Sequence, residues 1–91
     1  MAIINHGPKF AEENLNRVER HLNSDEAFIL LEGTATLVAG EGADRIKMER
    51  GKVYNVLTGA WHHIVTVPGA KVLVVEGDDT GADNTEYREL S

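Results

Sequence analysis

The sequence predicts an all-β fold, a small antiparallel β-barrel or sandwich, on three observations. No window of about eleven residues or more repeats apolar positions at the helical period between proper caps, and the best candidate, Phe10 to Leu15, is too short. Short runs of β-branched and aliphatic residues recur instead. The breaks between those runs carry Gly, Asn, Asp and Pro, the residues that reverse a chain cheaply.

Taken in order, strands are expected over 17–21, 27–31, 34–39, 45–48, 52–57, 61–67 and 70–76. Turns are expected at 23–25, 32–33, 40–44, 50–51, 58–59 and 68–69. Pro68 and Gly69 stand as a tight turn wants them, so WHHIVTV and AKVLVVE read as a hairpin. No strand–helix–strand alternation is present, which argues against a parallel sheet.

The 91 residues make one domain, with a barrel core over about 15–77. Residues 1–14 read as an N-terminal arm and 78–91 as an acidic tail lying on the surface. Tyr87 and Leu90 either pin that tail to the barrel or a partner chain, or the end frays. A chain this short has a thin core, and pairing with a second copy is a common supplement, so a homodimer is expected. With no cysteine, disulfides and thiolate metal sites are excluded. The formal charge of −6 and the scattered Lys and Arg argue against nucleic acid and against a membrane surface. MAIINHGPKF lacks the pattern of a signal peptide, and no apolar run approaches the roughly 18–20 residues that span a bilayer, so a cytoplasmic protein is expected.

Alternation along strands gathers the chemistry. Glu19 and His21 share one face of their strand, with Val18 and Arg20 on the other. His62, Ile64 and Thr66 share a face, opposite Trp61, His63, Val65 and Val67. Glu26 falls on the side of Phe28 and Leu30, which are expected to floor a pocket. Burying lone carboxylates or imidazoles among aliphatic side chains is costly unless they are paired or bound to metal. Two imidazoles with one or two carboxylates suit zinc, iron, manganese or nickel. The alternative is a metal-free pocket in which Glu26 hydrogen-bonds a histidine. His63 is expected on the outer surface or at a dimer contact. Trp61 shares its face and is expected there as an interface anchor rather than as core. His6 is expected in solvent. For residues 53–57, Asn55 and Leu57 face one way and Tyr54 and Val56 the other, with the pocket side left open.

The stretches ERHLNSDEAFILLEG and GKVYNVLTGAWHHIVT resemble the two motifs of the cupins, a family of small barrels of the jelly-roll, double-stranded β-helix type. His21, Glu26 and Gly33 fit the spacing of the first motif, and Gly51, Gly59 and His62 that of the second. Glu19 stands where the family's first His is usual, Leu57 where Pro is usual, and Thr66 where Asn is usual. The resemblance covers about residues 18–76. It implies a site inside the open end of the barrel, with His21, Glu26 and His62 at metal-ligand positions. Glu19 is then a further ligand, a general base, or the ion-pair partner of Arg17 or Arg45.

The expected function follows from that pocket. It binds a divalent metal, Zn, Mn, Fe or Ni, together with a small, polar, oxygen-rich molecule, as a metal-dependent isomerase or oxygenase would. The alternative is a metal-free binding or sensor module without catalysis. Whether the chain is an enzyme stays open at this point.

Overall fold

The computed structural model describes residues 1–22, 24–76 and 85–90. Among them are nine strands: β1 Ala2–Asn5, β2 Arg17–His21, β3 Glu26–Glu32, β4 Ala35–Ala39, β5 Asp44–Lys47, β6 Val53–Val56, β7 His62–Thr66, β8 Lys71–Glu76 and β9 Thr85–Glu89. The all-β reading therefore holds, and no α-helix occurs among the described residues. Two antiparallel sheets form, in the orders β1-β8-β3-β6 and β5-β4-β7-β2-β9. The first eight strands pass from one sheet to the other at each connection except the β4–β5 hairpin. This is the winding of a jelly roll, with β9 added along the edge of β2.

The period of two decides what each strand buries. In β3 the inward positions Glu26, Phe28 and Leu30 are buried, and in β8 Val72 and Val74 face them. With Leu37, Met48, Val56 and Ile64 these side chains form the core between the sheets. Tyr54 packs against it beside Val56, so that pair is the inward one of β6. Close approach fixes the β3–β4 turn. Gly33 has φ +75°, and a Cβ there would lie 2.8 Å from the Cα of Ala70. Only glycine fits both the left-handed backbone and that contact.

A second, smaller core lies on the outer face of the β5-β4-β7-β2-β9 sheet. Val18, Val38 and Val65 are buried there beneath Leu15, Ala43, Trp61 and Leu90. Trp61 thus differs from the expected free anchor. It is half-buried on this cluster, with the guanidinium groups of Arg20 and Arg88 at 4.5 and 5.1 Å from its ring centroid.

Both ends of the chain join the barrel more fully than expected. Residues 2–5, assigned to an arm, form β1 and pair with β8, so the core begins well before residue 15. Two single-turn 3-10 segments, Pro8–Phe10 and Glu12–Asn14, follow it. His6, expected in solvent, is half-buried, and its Nδ1 lies 2.8 Å from Thr66 Oγ1. The tail's residues 85–89 form β9 in register with β2, with Tyr87 under the Arg17 guanidinium at 4.0 Å and Leu90 on the outer core. Residue 77 of the expected core, residues 78–84 and 91 of the expected acidic tail, and Asn23 of the expected turn at 23–25 lie outside the described residues.

Candidate metal centre

The interior hollow opens between the two sheets near the start of β3. Its walls are Glu19 and His21 from β2, Glu26 and Phe28 from β3, His62 and Ile64 from β7, Val74 and Glu76 from β8, and Ala2 and Ile4 from β1. The volume is about 210 Å³, below the span typical of drug-sized ligands, so a small molecule is the size that fits. Every residue singled out for the site reaches this hollow: Glu19, His21, Glu26 and His62. The pairing explains it, since Glu19 and His62 are direct partners across β2 and β7.

His62 is 3% exposed, yet its ring is held by polar neighbours on both nitrogens. Its Nδ1 lies 3.0 Å from the Ala60 carbonyl oxygen. A carbonyl only accepts, so Nδ1 carries a proton and donates it there. In the neutral ring, Nε2 is then left with a free lone pair facing the hollow. His21 is held in a similar way, with Nδ1 at 2.9 Å from Thr85 Oγ1 of β9. A histidine steadied through one nitrogen with the other turned inward is the usual arrangement of a metal ligand.

Between the two rings sits Glu26 Oε1, 2.7 Å from His21 Nε2 and 2.8 Å from His62 Nε2. Both approaches are close, but neither has the in-line geometry of a hydrogen bond, and this buried oxygen has no hydrogen-bond partner. An ionised oxygen in that position needs a positive charge beside it. The donor set therefore fits a divalent ion. Glu19, His21 and His62 each offer a donor atom, all within 4.8 Å of one another, and could hold one. The buried Glu26 oxygen supplies the compensating charge at the same place.

The electrostatics of the ion-free site agree. Burial pushes the Glu26 carboxyl up, but the imidazoles of His62 and His21 and the Glu76 carboxyl outweigh it and hold it below its ordinary 4.5. Burial pushes His62 down, and the Glu26 carboxylate, the Ala60 carbonyl and the Glu19 charge outweigh that and raise it above 6.5. Without metal, each group thus favours the charged form of the other.

Glu19 does not take the ion-pair role. Arg45 binds Glu12, at 2.5 and 2.8 Å, and Arg17 covers Tyr87. Among the described residues no Arg or Lys pairs with Glu19, and its carboxylate stays with the histidines.

Some contributors were missed in the sequence. Glu76 is the direct partner of Glu26 across β3 and β8. Burial and the Glu26 carboxyl beside it both push its own carboxyl above 4.5. The alternation Val72, Val74, Glu76 already placed it inward. Thr85 gave no such signal, because only the fold brings it to His21. His63 faces away from the ligands as expected, but it is half-buried rather than bare. Phe10 stacks on its ring at 6.0 Å, and the two form part of the pocket's rim with Lys9.

The chain matches no protein-family profile and no curated protein sequence. Among the described residues, no helix is long and apolar enough to cross a membrane.

Proposed function

We propose that this chain is a metal-binding jelly-roll protein whose interior pocket holds a divalent ion and presents it to a small, oxygen-rich molecule. The observation that carries the reading is the pair of steadied imidazoles around the orphaned Glu26 Oε1. His21, His62, Glu26 and Glu19 are the ligands. The cupin-like order of Glu19, His21, Glu26, Gly33, Gly51, Gly59 and His62 in the sequence supports the same assignment.

Imidazole and carboxylate donors together suit zinc, manganese, iron or nickel. When bound, such an ion polarises substrate oxygens as a Lewis acid, the chemistry that isomerisation and oxygenation share. The chain's own residues do the rest. Phe28, Ile64 and Val74 exclude water from one side of the hollow. Glu76, next to Glu26 and with its carboxyl raised above 4.5, is placed to give or take a proton. Glu19 is the half-exposed ligand and the one best placed to leave the ion and act as a base.

Metal analysis of protein purified without chelator tests this reading. One equivalent or nearly so is expected in wild type, and almost none in His62→Ala. Equal content in both proteins, or none in either after incubation with Zn²⁺, Mn²⁺, Fe²⁺ and Ni²⁺, rejects it.

A further inference from the structure

Among the described residues, nothing covers the outer face of the β1-β8-β3-β6 sheet. Register places Ile3, Leu73, Ile29 and Val53 opposite one another, one from each strand, in an unbroken apolar row across the whole sheet. Val75 extends it in the next row, opposite Ala27. Ile3 is 55% exposed, Val53 53% and Val75 42%. The opposite sheet shows what this chain does elsewhere, since there a cluster of three valines is roofed by Leu15, Trp61 and Leu90.

Charge distinguishes this face from the rest of the surface. The chain carries a net charge of −6. Here the two charged residues on the outward positions of the strands, Lys71 and Glu32, stand opposite each other at one end and cancel. Two acidic chains repel each other over most of their surfaces, and this is where they do not.

Size is the third consideration. Four strands about 4.8 Å apart, of four, six, seven and four residues at about 3.3 Å each, make a face of about 330 Å² in plan. With side-chain relief a symmetric pair buries roughly 700–800 Å², at the low end for a specific interface, so the dimer is a weak, concentration-dependent one. Two such faces stack at about 10 Å with their strands nearly aligned, as the sheets of a sandwich do.

We infer that this face is the interface of a homodimer, formed by the two β1-β8-β3-β6 sheets back to back. The dimer has a bearing on the pocket. Among the described residues β1 is an edge strand paired with β8 alone, and it turns Ile3 outward while Ala2 and Ile4 form pocket wall. A second copy packed on Ile3 therefore holds that wall in place.

Sedimentation velocity across micromolar to submillimolar concentration tests the inference. The wild-type mass is expected to rise from 10.0 kDa toward twice that value. Ile3→Lys and Val53→Lys are each expected to weaken the dimer at least tenfold while keeping the wild-type circular dichroism. Both sites are more than half exposed, and Val75→Lys is a third variant should either fail to fold. Ile46→Lys, on the other sheet, is expected to leave the dimer intact. A wild type that stays monomeric throughout overturns the inference and leaves the face to a different partner. A dimer indifferent to the lysines, or broken by Ile46→Lys, overturns it as well.

Discussion

Following β3 inward from its first residue passes through two chemically opposite regions. Glu26 and the facing His62 stand in a hollow that contains carboxylates and imidazoles. Two turns of the pleat further on, Leu30 meets Val72 and Leu37 in a packed, wholly apolar core. Both regions are walled by the same sheets and built from the same alternation. One is filled by side chains, and the other is left open with its charges unbalanced. A domain with so small a core gives up packing at a cost, so under the proposed function the hollow is the working end and the packed region its support.

The largest effect is expected in the support. Leu37→Ala should cost about 2–5 kcal/mol in urea unfolding, because a buried leucine leaves a cavity that close-packed neighbours fill poorly. A loss under about 1 kcal/mol breaks the contrast, since the supporting end would then not be tightly packed. At the working end the sign reverses. Added Mn²⁺ or Ni²⁺ at one hundred times its dissociation constant should stabilise wild type by about 2.7 kcal/mol. Glu26→Ala should show no such gain, and an equal gain in both proteins removes Glu26 from the site.

pH sharpens the same contrast. In chelator, the ion-free protein draws stability from the Glu26 carboxylate, whose folded value lies below 4.5. That contribution is complete above 4.5 and fades as pH falls through the lowered value. It also draws stability from charged His62, complete below 6.5 and lost as pH rises through the raised folded value. Glu76, raised above 4.5, subtracts stability as pH climbs from 4.5 through its own folded value. The ion-free protein should therefore weaken from weakly acidic pH toward alkaline pH. Stabilisation by metal should grow over that interval, since the ion competes with the proton on His62 Nε2. Urea midpoints at several pH values, with and without metal, measure both trends. Parallel curves would separate His62 from the ion.

Two smaller effects concern what holds the two regions together. Gly33→Ala should cost about 1–3 kcal/mol, from the left-handed backbone and the clash with Ala70. Thr85→Val should cost about 1 kcal/mol of stability by removing the partner of His21 Nδ1, and should lower metal affinity by roughly 10–100-fold. Isothermal titration and thermal melts read both. Unchanged affinity in Thr85→Val would make β9 a cover for the outer core and nothing more.

The packed end and the four polar residues that line the hollow were legible in the sequence for the same reason. Each inner strand is a short run of β-branched residues between turn formers, and the period of two then sends Glu19, His21, Glu26 and His62 to one side. What escaped reading depended on contacts across the fold. β1 is only the four residues AIIN, too short to stand out, and gains strand character by pairing with β8. β9 lies in a polar stretch whose TEYRE gives no apolar alternation, and it is ordered by its ladder with β2. The packing of Trp61 on its expected outer face depends on Leu15 and Leu90, which reach its cluster from opposite ends of the chain. Glu76 was within reach of the alternation argument and was overlooked because it closes its strand.

The latching of both chain ends onto the barrel also bears on how the molecule comes to be folded. His21 depends on Thr85, 64 residues away, and Thr66 on His6, 60 residues away. Contacts of such long sequence separation must wait for most of the chain to be in place, and folds dominated by them form slowly. An ion bound at the proposed site would thus meet a finished cage rather than a short loop that it could organise by itself. Metal should slow the unfolding of this protein far more than it hastens its folding.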